Sequence, residues 1–167
     1  ALRLVEQLKS FAPDFNEHLE LEFMLLLITG QREAAAVVGK RLAEILNKKT
    51  PNLDPYLDLF GEAPQRRAAS EVLLSWPRDS RMDPDSPAIL YEINLIYVLA
   101  VAGLYEPALK LLTYVAKKGP LIIDRFRAFS DLTSFHCTAE AQAIYAAHPL
   151  AYSQHGYACP NPDAALP

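Results

Sequence analysis

The stretch from Ile89 to Ile122 constrains this chain more than any other part of it. An apolar run is followed by Gly103, then by a second run that holds Ala108, then by Pro120. Glycine accepts the left-handed backbone that ends many helices. Proline lacks an N–H and clashes with the preceding turn, so it cannot continue one. The order predicts two antiparallel helices joined at Gly103 and closed by Pro120. Ala108 stands where the second helix crosses the first, and an interaxial distance of roughly 8–10 Å leaves room there for little more than a methyl group. A helical hairpin of this kind stacks on others and presents a surface. The segment LIYVLAV, Leu95–Val101, reads as a buried strand on β-propensity alone; its length, its caps and the matching helix after Gly103 favour the helix.

The same grammar recurs along the chain. Leu4, Val5, Leu8 and Phe11 have the spacing of a short amphipathic helix over Ala1–Phe11. Phe15, Leu19, Phe23, Leu26 and Leu27 form a helical stripe from Asp14 to Thr29, ended by Gly30, and Glu33–Leu46 is the return helix with Ala35 and Gly39 on one side. Pro51, Pro55 and Pro64 divide the middle, with Asp54 as an N-cap before Pro55. Gln65–Trp76 is a further helix, and the Pro-rich, charged Trp76–Pro87 an exposed linker. Ser86 and Pro87 supply an N-cap and first-turn Pro for the helix running to Ala102. That helix is apolar nearly all round and so must be covered on several sides. Leu121–Phe129 and Thr138–Ala147 read as short helices of a C-terminal cap. Residues 1–150 are expected to form one all-α domain, and 151–167 an irregular tail.

Composition narrows the function. Half the residues are apolar and 22% are charged, which is ordinary for a folded chain. A net charge of −4, with Lys40–Arg41, Lys48–Lys49, Arg66–Arg67 and Lys117–Lys118 scattered as solvated helix faces, gives no clustered positive field for direct nucleic-acid binding. No secretory leader is expected from the residues at hand, and no apolar run nears the roughly 20 residues of a membrane span. With a helical pattern already under way at Ala1, the chain reads as a piece of a longer protein.

Once Gly103, Ala108 and Pro120 are aligned, Asn94, Leu95 and Leu99 also fall on favoured positions of the tetratricopeptide repeat, which Ile89–Ile122 resembles. Gly30 and Ala35 keep the same separation as Gly103 and Ala108, and a third, degenerate unit surrounds Ala68 with a stunted first helix. Gly30 and Gly103 lie 73 residues apart, near two periods of about 34 plus a small insertion. Glu92 departs from the pattern where a large aromatic is usual, as do Ile96 and Leu112 where a small and an aromatic residue are usual. The layout is similar to the C-terminal repeat regions of bacterial signalling proteins, particularly winged-helix transcription regulators and adenylate-cyclase-type sensors.

The resemblance implies degenerate helical hairpins in an α-α superhelix with a C-terminal helical cap. It also implies a non-catalytic interaction or sensing domain of a larger bacterial regulator. In the family the first helix of each repeat lines a concave surface, which puts Ile93, Tyr97 and Val101 on an apolar lining. Either another helix fills that groove, or it receives a protein segment or a sister subunit. Tyr91, Tyr105 and Tyr114 join Tyr97 as core or groove wall.

Candidate chemistry is sparse. His136, Cys137, His148, His155 and Cys159 are a donor set zinc accepts, but without paired spacing, so no metal is expected there. A small-ligand or metal sensor with its site under this cap is the alternative reading. A Cys137–Cys159 disulfide is expected if the domain is exported to the periplasm; in a cytoplasmic protein the two thiols stay reduced. Cys137 beside His136 invites a nucleophile–base reading, yet neighbours in sequence point apart and nothing supplies an orienting acid. Glu17, Glu20 and Glu22 read as a solvated helix face rather than a ligand cluster. With six glycines and no phosphate-loop or hydrolase motif, no cofactor and no catalytic residues are expected.

Overall fold

A computed structural model describes Gln7, Ser10, residues 16–46, 53–76 and 92–118, Ile123, residues 126–148 and Cys159. Among these residues the regular structure is entirely helical: α1 (Asn16–Ile28), α2 (Arg32–Leu46), α3 (Asp54–Asp58), α4 (Ala63–Ser75), α5 (Glu92–Val101), α6 (Tyr105–Ala116), a 3₁₀ turn (Ser130–Leu132), α7 (Thr133–His136) and α8 (Ala139–Ala147). Leu95–Val101 is therefore helix, not strand. No helix of the described residues is long and apolar enough to cross a membrane. The expected helix over Ala1–Phe11, the linker after Trp76, the Ser86–Pro87 cap, Pro120 and the tail segment lie outside the described residues, Gln7, Ser10 and Cys159 excepted.

The two good hairpins are built alike. Gly103 adopts φ 74°, its N–H donates to the Ala100 carbonyl, and Leu104 N–H donates to Leu99. Gly30 adopts φ 75°, with the same pair of bonds from Gly30 to Leu27 and from Gln31 to Leu26. Both are Schellman terminations, which need a left-handed residue after the helix end and satisfy carbonyls the helix leaves open. Five residues past each glycine, Ala108 and Ala35 are fully buried where the return helix meets its partner.

Four residues farther the hairpins diverge. Gly39 lies under the ring of the fully buried Phe23, so close that an added Cβ would sit 2.7 Å from the ring. The pair at the same offsets from Gly103 is Ile96 and Leu112, both fully buried. One hairpin thus combines a large and a minimal residue where the other uses two of middle size.

The middle unit is short. Leu53, not Asp54, occupies the N-cap of α3; Asp54 is the first helical residue and Pro55 follows it, in the first turn where a missing N–H costs nothing. Glu62 N–H donates to the Gln65 side chain at 3.1 Å at the start of α4. In α4 the buried residues are Ala69, Ser70 and Leu73, while Ala68 is exposed, so the contact lies one residue later than the sequence reading placed it. Because α3 has only five residues, α1 also packs directly on α5.

Side chains stitch the units together. Phe23, Tyr56 and Trp76 form an edge-on aromatic ladder with centroids 6.2 and 5.9 Å apart. Arg32 pairs with Asp58 at 2.8 Å. Arg66 donates to the Ala102 carbonyl at 3.1 Å, capping the end of α5, so it does not belong to a solvated face as expected. Glu20 is buried and Glu22 half-buried, so these two do not belong to a solvated face. Glu92 explains itself: only 3% exposed, it accepts from Lys118 at 2.9 Å and ties the start of α5 to the end of α6.

Candidate partner-binding face

Ile93, Tyr97 and Val101 follow one another at helical spacing on α5, and all three are half-buried against the core. At Tyr97 this lining is met by the chain itself. Its ring lies 4.6 Å from that of Phe129, and its hydroxyl donates to Asp131 at 2.5 Å. Burial, and then the Asp131 carboxylate, push the Tyr97 phenol well above its ordinary pKa, so it remains a donor at any physiological pH. Of the two outcomes the sequence left open for the groove, a segment of the same chain fills it at this position.

An open cleft lies on the other helix of the hairpin. Tyr105, Leu109 and Thr113 of α6 face Ala143 and Ile144 of α8 across a volume of about 640 Å³. Glu106, Lys110 and Glu140 stand at its rim. Lys110 bonds Glu106 at 2.8 Å, one turn away on α6, and this bond holds the Glu106 carboxyl below its ordinary pKa. A smaller cleft of about 370 Å³ lies between α4 and the Gly103 turn, bordered by Ser70, Leu74, Leu104 and Pro107. Its charges are matched within the chain, Arg67 to Glu71 at 3.7 Å and Lys110 to Glu106.

The cap that carries the histidines and cysteines is organised internally. Thr138 caps α8, its hydroxyl accepting from Ala141 N–H at 3.2 Å. His136 is fully buried among the rings of Phe126, Phe135 and Tyr145. One imidazole nitrogen, Nε2, lies 3.1 Å from the Phe129 carbonyl and the other, Nδ1, lies 2.7 Å from the Tyr145 hydroxyl. A carbonyl only accepts, so Nε2 carries the hydrogen and Nδ1 accepts from Tyr145. Burial, the largest cause, lowers the His136 pKa below its ordinary value, consistent with a neutral ring. Cys137 and Cys159 are bridged, with Cα atoms 5.5 Å apart, and Gln142 donates to the His136 carbonyl at 2.7 Å beside the bridge. In this state the His136 nitrogens and the two sulfurs are already committed to partners, so neither a zinc donor set nor a Cys–His dyad is assembled from them.

No family model, curated protein or solved structure matches the chain.

Sequence reasoning thus located the hairpin and the disulfide pair, while the cleft between α6 and α8 has no counterpart in it. It missed the aromatic layer of Phe126, Phe129 and Phe135, in which Phe135 meets Tyr105 edge-on at 5.4 Å. The helical spacing of Phe126 and Phe129 was a legible hint of an apolar face. Phe135 gave none, because it sits on the four-residue α7, too short to show a period.

Proposed function

We propose that this chain is a non-catalytic, degenerate tetratricopeptide-like interaction domain of a larger bacterial regulatory protein, and that it binds an amphipathic helix of a partner. The observation that carries the reading is the cleft between α6 and α8, an apolar floor under a charged rim, open where the α5 lining is covered. The equivalent Schellman turns and buried alanines of the two hairpins support the repeat reading. A helix laid between Leu109 and Ile144 would bury apolar residues spaced three and four apart, the ordinary helix-in-groove mode. Glu106, Lys110 and Glu140 sum to one negative charge, so a lysine or arginine on the flank of the incoming helix complements the rim.

The experiment is selection of a displayed library of amphipathic helices against the full chain, followed by binding to an Ile144→Glu variant of unchanged helix content. Binders enriched in basic flanks that lose at least tenfold in affinity for the variant are expected. Binders indifferent to Ile144→Glu would overturn the assignment of this cleft.

A further inference from the structure

The C-terminal cap contains a feature that the interaction reading does not use. His136 is the one imidazole in a layer of aromatic rings, with centroids 5.3 Å from Phe126, 5.9 Å from Phe135 and 5.8 Å from Tyr145. The two bonds of its ring join the pieces of the cap: Nε2–H to the backbone of Phe129, and Nδ1 to the hydroxyl of Tyr145 on α8. Phe129 is also the residue that covers Tyr97, and Phe135, next to His136, covers Tyr105. The imidazole therefore sits at the junction through which the cap is held on α5 and α6.

The neutral ring suits this junction better than the charged one. A proton added at Nδ1 would point at the Tyr145 oxygen across a 2.7 Å gap already occupied by the hydroxyl hydrogen, so that hydroxyl would have to turn away. The new charge would face the groups packed on it from each side. Arg127, whose guanidinium lies 5.0 Å over the Tyr145 ring, opposes it. Asp131, on the 3₁₀ turn, attracts it but is already engaged by the Tyr97 hydroxyl. From α8 come Tyr145 and the uncharged Gln142, the latter bonded to the carbonyl of His136. The neighbouring disulfide does not titrate. A charge among aromatic rings with an opposing guanidinium nearby is costly, and the cost is relieved once the ring reaches water.

We propose that protonation of His136 unlatches the cap. The segment from Phe126 to His136 leaves Tyr97 and Tyr105, so that both rings are uncovered only in mildly acidic surroundings. Neutral His136 keeps both rings covered. The latch is tested apart from the α6–α8 cleft reading, since its readout is the position of the cap and not the capture of a partner.

Amide hydrogen exchange of the oxidised full chain, corrected for the intrinsic pH dependence of exchange, reads the latch directly. Between pH 7.5 and pH 5 the opening of residues 129–145 is expected to increase by as much as about 30-fold, the limit for a ring whose pKa in the open state is near 6.5. Amides of α1 and α2 should not follow. His136→Gln retains a neutral donor and acceptor but cannot titrate, and should remove the dependence. Opening that is independent of pH in the natural chain, or that survives unchanged in His136→Gln, overturns the proposal. If the variant does not fold, imidazole ¹⁵N shifts of the natural chain decide instead. A His136 that is protonated while Phe129 still covers Tyr97 refutes the latch, and protonation coincident with loss of that contact supports it.

Discussion

Replacing Gly39 with alanine sets two ordinary effects against each other. In an exposed helix interior the change stabilises by about 1 kcal/mol, because glycine loses more backbone entropy and has the poorer helix propensity. Here the new methyl would sit 2.7 Å from Phe23 Cε2 and 3.2 Å from Cδ2. Phe23 is fully buried and packs edge-on with Tyr56, which in turn meets Trp76, so withdrawal of the ring disturbs that ladder. Overpacking a filled core costs about 1–3 kcal/mol, so the net expectation is a loss of about 1 kcal/mol. With a urea m-value of about 2 kcal/mol per molar, the midpoint falls by about 0.5 M. Trp76 fluorescence is a suitable probe, because its ladder would register the displaced ring. The same substitution in a Phe23→Leu background should cost less or become favourable, giving a coupling of about 1 kcal/mol in the double-mutant cycle. A Gly39→Ala chain that gains the full propensity benefit would show that the ring moves freely, and the overpacking argument would fail.

Other expectations can be checked with the same unfolding assay. Lys118→Ala strands the carboxylate of buried Glu92 and should cost about 3 kcal/mol, whereas Glu92→Leu, which lets Lys118 turn to solvent, should stay within about 1 kcal/mol; equal costs would refute the asymmetry. Tyr145→Phe leaves the buried Nδ1 of His136 without its donor and should destabilise by about 2 kcal/mol. Reducing the Cys137–Cys159 bridge, which spans 22 residues, should lower stability by about 3 kcal/mol, read as a shift in the midpoint with and without reductant. His136 binds its proton less readily when folded than the ordinary 6.5 of the unfolded chain. Its contribution is therefore complete above pH 6.5 and is lost as pH falls below that value toward the folded pKa; unfolding midpoints at pH 7.5 and 5 should differ in the natural chain and converge in His136→Gln.

The legible parts were those written in local chemistry. Gly30 and Gly103 announced left-handed helix ends because few other residues adopt that backbone at low cost, and Ala35 and Ala108 announced close crossings because methyl groups fit them. The Cys137–Cys159 pairing was open to sequence reasoning for the same kind of reason, a tail with one cysteine to tether and one to receive it. The illegible parts were differences between sites of equal composition. Glu20 and Glu92 look like surface carboxylates until their neighbours are known, and Arg66 looks like its exposed neighbour Arg67. The helical spacing of Ile93, Tyr97 and Val101 could be read from the sequence, yet that periodicity could not say what stands opposite Tyr97.

What the amino-acid sequence determined by itself is the run of helices and their stops, since backbone preference and apolar spacing act over a few residues. Only the tertiary structure decided which faces stay open. Phe129, more than thirty residues beyond Tyr97, closes one face of the hairpin, while α8 leaves a cleft on the other. Exposure is a property of what packs against a residue, and contacts between distant segments leave no mark on the local pattern of either.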